Sequence, residues 1–80
     1  MDKTQQALKQ GTEKWLAKLE ARDKGLQALD PRAEPEIENL RAYIKDCYHF
    51  MEKGDWVRAF EACVYAWGIL ETLEHLKLVE

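Results

Sequence analysis

Serine does not occur in this 80-residue chain, and neither cysteine has a histidine beside it in a recognisable pattern. With both missing, the usual constellations of nucleophilic catalysis find no support. The four glycines are isolated, so no glycine-rich phosphate loop exists. Two cysteines, not in a CxxC arrangement, are too few for a disulfide scaffold. A basic excess is missing as well. The net charge is −3, with +1 over residues 1–34 and −4 over residues 35–80, and neither half has a basic patch. A general affinity for nucleic acid needs such a patch to release counterions, so no nucleic-acid partner is expected. No run approaches the roughly 20 apolar residues that span a bilayer, and no membrane partner is expected. The first residues carry no apolar signal region. These absences lead us to expect a cytoplasmic protein without a cofactor.

What remains is ordinary for a helical globular chain, with 46% apolar and 34% charged residues. Its two prolines and four glycines punctuate it cleanly. Pro31 and Pro35 bracket one break. The residue before a proline is pushed out of the helical region, so Glu34 should not be helical and Pro35 should open the next helix. Gly54-Asp55 marks a second break, with a glycine to close one helix and an aspartate to cap the next. No alternation of strand type competes, so no strand pairing is expected. The chain therefore reads as a single domain over residues 1–80, with helices at about 3–29, 35–53 and 55–78. The short second turn makes its flanking helices antiparallel. The fold class is all-α, an antiparallel up-down-up three-helix bundle with crossing angles of about 20°.

The first helix carries a seam of Leu8, Thr12, Trp15, Leu19, Arg22, Leu26 and Leu29, with Leu16 beside it. Arg22 should snorkel to solvent, and Glu20 should pair with Lys24. The second helix carries Ile37, Leu40, Ile44, Cys47 and Met51 without interruption, widened by Tyr43 and Phe50. Its other side, Asn39, Ala42, Asp46, His49 and Lys53, should be wet. In the third helix the apolar direction moves from Trp56, Phe60, Cys63 and Trp67 to Ala66, Ile69, Leu73 and Leu76. A helix that changes its buried side contacts two neighbours.

From Ala62 to Leu70 that helix has nine residues and no charge. A surface helix normally shows a polar stripe every turn. Cys63, Ala66, Trp67 and Leu70 can face the core, but Val64, Tyr65, Gly68 and Ile69 cannot all join them. These four are the candidate interface, and an apolar patch on so small a chain implies a contact, most simply a homodimer or otherwise an unknown protein partner. Asp46, His49, Arg58 and Glu61, with Tyr65, form a candidate polar rim for a small ligand or nucleotide. Asp46 and His49 share a helical face with Glu61 near the level of His49, but a metal site needs three or four converging ligands, and an exposed Asp–His pair reads as a solvated face, so no metal is expected. Glu61 should pair with Arg58, Lys53 or Lys45. Reflection across the Gly54-Asp55 turn brings Cys47 level with residue 62, next to Cys63. That makes a candidate cysteine pair, to be weighed against two small buried apolar residues. If bridged, their Cα atoms must lie within about 7 Å.

Residues 43–70 carry a more specific pattern: Tyr43, Asp46, His49-Phe50, Gly54-Asp55, Ala59-Phe60-Glu61 and Tyr65-Ala66-Trp67-Gly68. In this it resembles the short archaeal helical proteins grouped as domain of unknown function 357. The resemblance implies a helical bundle in an archaeal cytoplasm and supplies no activity. It also keeps a Cys47–Cys63 disulfide open, since intracellular disulfides occur in hyperthermophilic archaea. The hairpin more faintly resembles a tetratricopeptide pair, but no 34-residue repeat follows. It is also distantly similar to helical domains of RNA-processing systems, whose ribonuclease members place four to six residues between Arg and His. Seven separate Arg41 from His49 here. The chain thus reads as a non-enzymatic interaction module that self-associates through its third helix, with a small-ligand or nucleotide/RNA-associated domain as the alternative.

Overall fold

Asp2 begins the first helix by accepting a hydrogen bond from the Gln5 backbone N–H at 2.7 Å, which satisfies one of the free donors at the helix start. In the computed structural model, which describes all 80 residues, this helix α1 spans Lys3–Lys24. Helix α2 spans Ala33–Glu52 and α3 spans Trp56–His75.

The turn between α2 and α3 forms as its chemistry demands. Gly54 takes the left-handed conformation (φ 72°). Its N–H donates to the Met51 carbonyl at 3.0 Å, and Asp55 N–H donates to the Phe50 carbonyl at 2.9 Å. These two bonds close α2 as a Schellman motif. The Asp55 carboxylate then accepts from the Arg58 N–H at 3.1 Å and opens α3.

The other boundaries depart from the sequence expectation. α1 stops at Lys24, not near residue 29, because residues 26–29 leave the helix to meet the chain's last residues. Leu29 N–H donates to the Leu78 carbonyl at 2.8 Å and Glu80 N–H to the Gln27 carbonyl at 2.9 Å. Ala28 and Val79 thereby form one isolated antiparallel bridge. There is no strand, but this pairing was not expected. α2 starts two residues before Pro35. Asp30 accepts from both the Arg32 backbone N–H and its guanidinium, at 2.9 and 3.0 Å. The N–H groups of Ala33 and Glu34 donate to Asp30 and Pro31 carbonyls, so the chain is already turned before Pro35. Proline is harmless in the first helical turn, where N–H groups lack helical partners. α3 ends at His75 through a second Schellman motif. Lys77 occupies its left-handed position (φ 58°), and Leu78 N–H donates to the Leu73 carbonyl at 3.0 Å.

Side-chain contacts fix the topology. Glu20 meets Tyr48 and Asp23 meets Arg41, so α1 and α2 are antiparallel. Gly11 meets Phe60, Trp15 meets Trp67 and Arg22 meets Glu74, so α1 and α3 are parallel. Phe50 meets Arg58 and Tyr43 meets Tyr65, so α2 and α3 are antiparallel. The result is an up-down-up three-helix bundle, 44 × 17 × 17 Å, with α3 packed on both neighbours. Leu19, Leu40 and Leu70 fill its centre, fully buried. Ala59, Ala62 and Ala66, also buried, keep α3 thin on its inner side and let the neighbouring helices approach.

The α2 seam is buried as expected, except that Met51 is only partly covered. The α1 seam is shifted. Thr12, Leu16, Leu19 and, beyond the helix end, Leu26 are its buried residues, while Trp15, Arg22 and Leu29 are exposed. Thr12 tolerates burial because its hydroxyl donates to the Leu8 carbonyl at 2.7 Å. Leu76, expected inside, is exposed because α3 ends before it.

Candidate interaction surface

The outer face of α3 results from where its neighbours sit. Trp56, Ala59, Ala62, Cys63, Ala66, Leu70 and Leu73 are used up in the core. α1 covers one flank through Trp15, whose ring packs edge-on against Trp67 at 5.9 Å. Trp67 Nε1–H donates to the Trp15 carbonyl at 2.9 Å and locks that contact. α2 covers the other flank, where Tyr43 stacks on Tyr65 at 5.4 Å. Between the flanks Val64 remains 52% and Tyr65 54% exposed, Gly68 is exposed, and Ile69 is half-buried. Three of the four candidate interface residues therefore face outward, and Ile69 packs partly against the core.

Two concavities run along this strip, one on each side of it. The first, about 410 Å³, is lined by Trp15, Phe60, Val64, Trp67 and Gly68, with buried Cys63 and exposed Glu71 also on its wall. The second, about 480 Å³, includes Glu36, Val64, Tyr65, Gly68, Ile69 and Thr72. Val64 and Gly68 belong to both and form the ridge between them. The α1 contribution was missed in the sequence. The sequence pattern places Trp15 in the inner seam, whereas Leu16 holds that position and turns Trp15 outward. Lys14 and Lys18 lie over the Trp15 ring, with Nζ 5.4 and 4.6 Å from its centroid.

The polar rim does not assemble. Asp46, His49, Arg58 and Glu61 are all exposed, and none lines a concavity. Asp46, His49 and Glu61 do not converge into a ligand set. Arg58 pairs with Asp55 at 3.7 Å, not with Glu61, because the helix cap sits one turn below it. Arg22 reaches solvent as expected and pairs there with Glu74 on α3. Glu20 turns away from Lys24 and accepts from the Tyr48 hydroxyl at 2.5 Å. That bond and partial desolvation push the Tyr48 phenol up to about 12.

Cys47 and Cys63 meet across the α2–α3 contact at the expected level, as free and buried thiols. The adjoining Cys63 sulfur and burial together hold the Cys47 thiol well above the usual range. Cys47 also approaches the Met51 sulfur at 3.9 Å. No helix is long and apolar enough to cross a membrane.

Comparison with other proteins agrees with this geometry. The family model described as protein of unknown function DUF357 matches residues 9–79. The crystal structure of a protein from the archaeon Archaeoglobus fulgidus, assigned to the same family model, superposes with a TM-score of 0.87 at 39% identity, covering 96% of each chain. No curated protein matches.

Proposed function

The chain belongs to the DUF357 family of proteins of unknown function, and on that footing we propose that it is a non-enzymatic interaction module that self-associates through α3. One observation carries this reading. The ridge of Val64, Tyr65 and Gly68 stands exposed in the middle of a helix that has no charge from Ala62 to Leu70. Holding apolar area in water is unfavourable by about 25 cal/mol per Å² relative to burial, and contiguous patches on small proteins mark contacts. A second copy is a suitable cover, since it brings the same ridge and the same flanking concavities. The proposed setting is the cytoplasm, and the proposed product is a homodimer.

Sedimentation equilibrium tests this directly. The unmodified protein should have the mass of a dimer at high micromolar concentration. Val64→Lys or Tyr65→Lys should return it to a monomer with unchanged helical circular dichroism. A wild-type monomer at that concentration would overturn self-association.

A second reading rests on the first concavity, whose volume of about 410 Å³ lies within the usual range for small-ligand sites. Its aromatic wall of Trp15, Phe60 and Trp67 suits an apolar ligand. Such a ligand would change Trp fluorescence equally in the wild type and in Tyr65→Lys, since Tyr65 does not line that concavity.

A further inference from the structure

The outside of α3 carries a second periodic seam, distinct from the one that faces the core. Val57, Glu61, Val64, Gly68, Glu71 and His75 follow one another at spacings of four, three, four, three and four. All six are exposed. This is the spacing of a helix that packs along another helix.

Gly68 is the key position on it. Glycine inside a helix costs about 1 kcal/mol relative to alanine. Within the chain, nothing uses the missing side chain, because a Cβ built there meets no atom within 4 Å. Gly11 is the contrast. A Cβ there would stand 3.2 Å from the Phe60 ring, so its absence serves the α1–α3 contact. The space over Gly68 is useful only to a backbone approaching from outside.

Charge then selects how that backbone runs. In a parallel pair each seam residue faces its own equivalent, so Glu61 meets Glu61 and Glu71 meets Glu71. An antiparallel pair with its axis midway between Val64 and Gly68 sets Glu61 against Glu71. Both arrangements oppose like charges along the contact. An axis at Gly68 opposes no like charges along the α3 seam. Glu61 and His75 are each seven residues from Gly68, and Val64 and Thr72 are each four. Glu61 then faces the partner's His75, and Val64 faces the partner's Thr72. An axis perpendicular to the helices also sets the α1 flank of one copy against the α1 flank of the other. Trp15 lies beside Trp67 and Gly11 beside Phe60, so Lys14 stands near the level of Tyr65. Glu71 therefore comes level with the partner's Lys14.

We infer that the partner of the α3 surface is a second copy docked antiparallel, with a twofold axis at Gly68 where the two backbones come closest. This rests on the self-association reading and fixes its geometry. Each of these contacts occurs twice in such a dimer.

The test measures dimer dissociation constants by sedimentation equilibrium, with thermal unfolding as the control for folding. Gly68→Leu should abolish the dimer while leaving the unfolding temperature of the monomer no lower. Glu61→Lys should weaken dimerisation about tenfold, since two exposed pairs are lost and each contributes up to about 1 kcal/mol. Adding His75→Glu to Glu61→Lys should restore it, by placing Lys opposite Glu at the same two positions. A wild-type monomer would sink the self-association reading and this inference together. A wild-type dimer that tolerates Gly68→Leu, or one in which His75→Glu gives no rescue, would overturn the register and leave self-association standing.

Discussion

Tyr48 shows how one residue links the bundle to its solvent. Its hydroxyl donates to Glu20 across the α1–α2 contact, and its ionisation is pushed from 10.0 to about 12. The folded protein keeps this proton where the unfolded chain has lost it. The resulting stabilisation is complete below pH about 10 and disappears as the pH rises towards about 12. Denaturant titrations over this window should show a steeper loss for the wild type than for Tyr48→Phe. Parallel loss would mean that the bond is not formed. In the centre, Leu19 is fully buried, and Leu19→Ala should cost about 2–5 kcal/mol in urea denaturation. The α1 seam was only half legible, because Trp15 and Leu16 are adjacent and both apolar. Periodicity alone does not choose between neighbours; the position of α3 does.

Two Schellman motifs close α2 and α3, but only one has glycine in its left-handed position. An L-residue there carries a penalty of about 1 kcal/mol that glycine avoids. Lys77→Gly should therefore stabilise the protein by about that amount, raising the unfolding temperature by about 4–8 °C for a domain this size. An unchanged or lower temperature would show that the Lys77 side chain is needed. Asp55→Ala removes the cap of α3 and should cost about 1 kcal/mol. The same contrast explains what could be read. Gly54-Asp55 announces its turn in the residues themselves. Lys77 announces nothing, so helical period alone carries α3 to about residue 78 and places Leu76 inside.

The molecule as a whole has one inner surface that is closed and one outer helix face that is not. α3 is wedged between α1 and α2, and each flank gains an aromatic contact, Trp15 on Trp67 and Tyr43 on Tyr65. The ridge left between them has no cover within the chain. Its expected consequence is a concentration-dependent unfolding temperature, since a dimer of folded chains gains stability by mass action. That dependence should vanish in Val64→Lys. Burial of Cys47 and Cys63 in the hairpin predicts that a thiol-specific reagent labels them only as fast as the bundle opens. Labelling at the rate of an exposed thiol would contradict the packing.

The number of helices, the break at Gly54-Asp55, the inner seam of α2, the levelling of Cys47 with Cys63 and the uncharged stretch of α3 are all legible in the residues alone. All of these depend on turn chemistry and helical period, which act over a few residues. Tertiary structure alone decided where α1 ends, because Leu29 leaves the helix to bond Leu78, a residue far along the chain. It likewise decided that Arg22 meets Glu74 and that Tyr48 meets Glu20. It also left Asp46, His49, Arg58 and Glu61 outside every concavity and brought Trp15 of α1 beside Phe60 and Trp67 of α3. Such pairings require two distant segments to be fixed in space first, and local pattern carries no information about which segments those are.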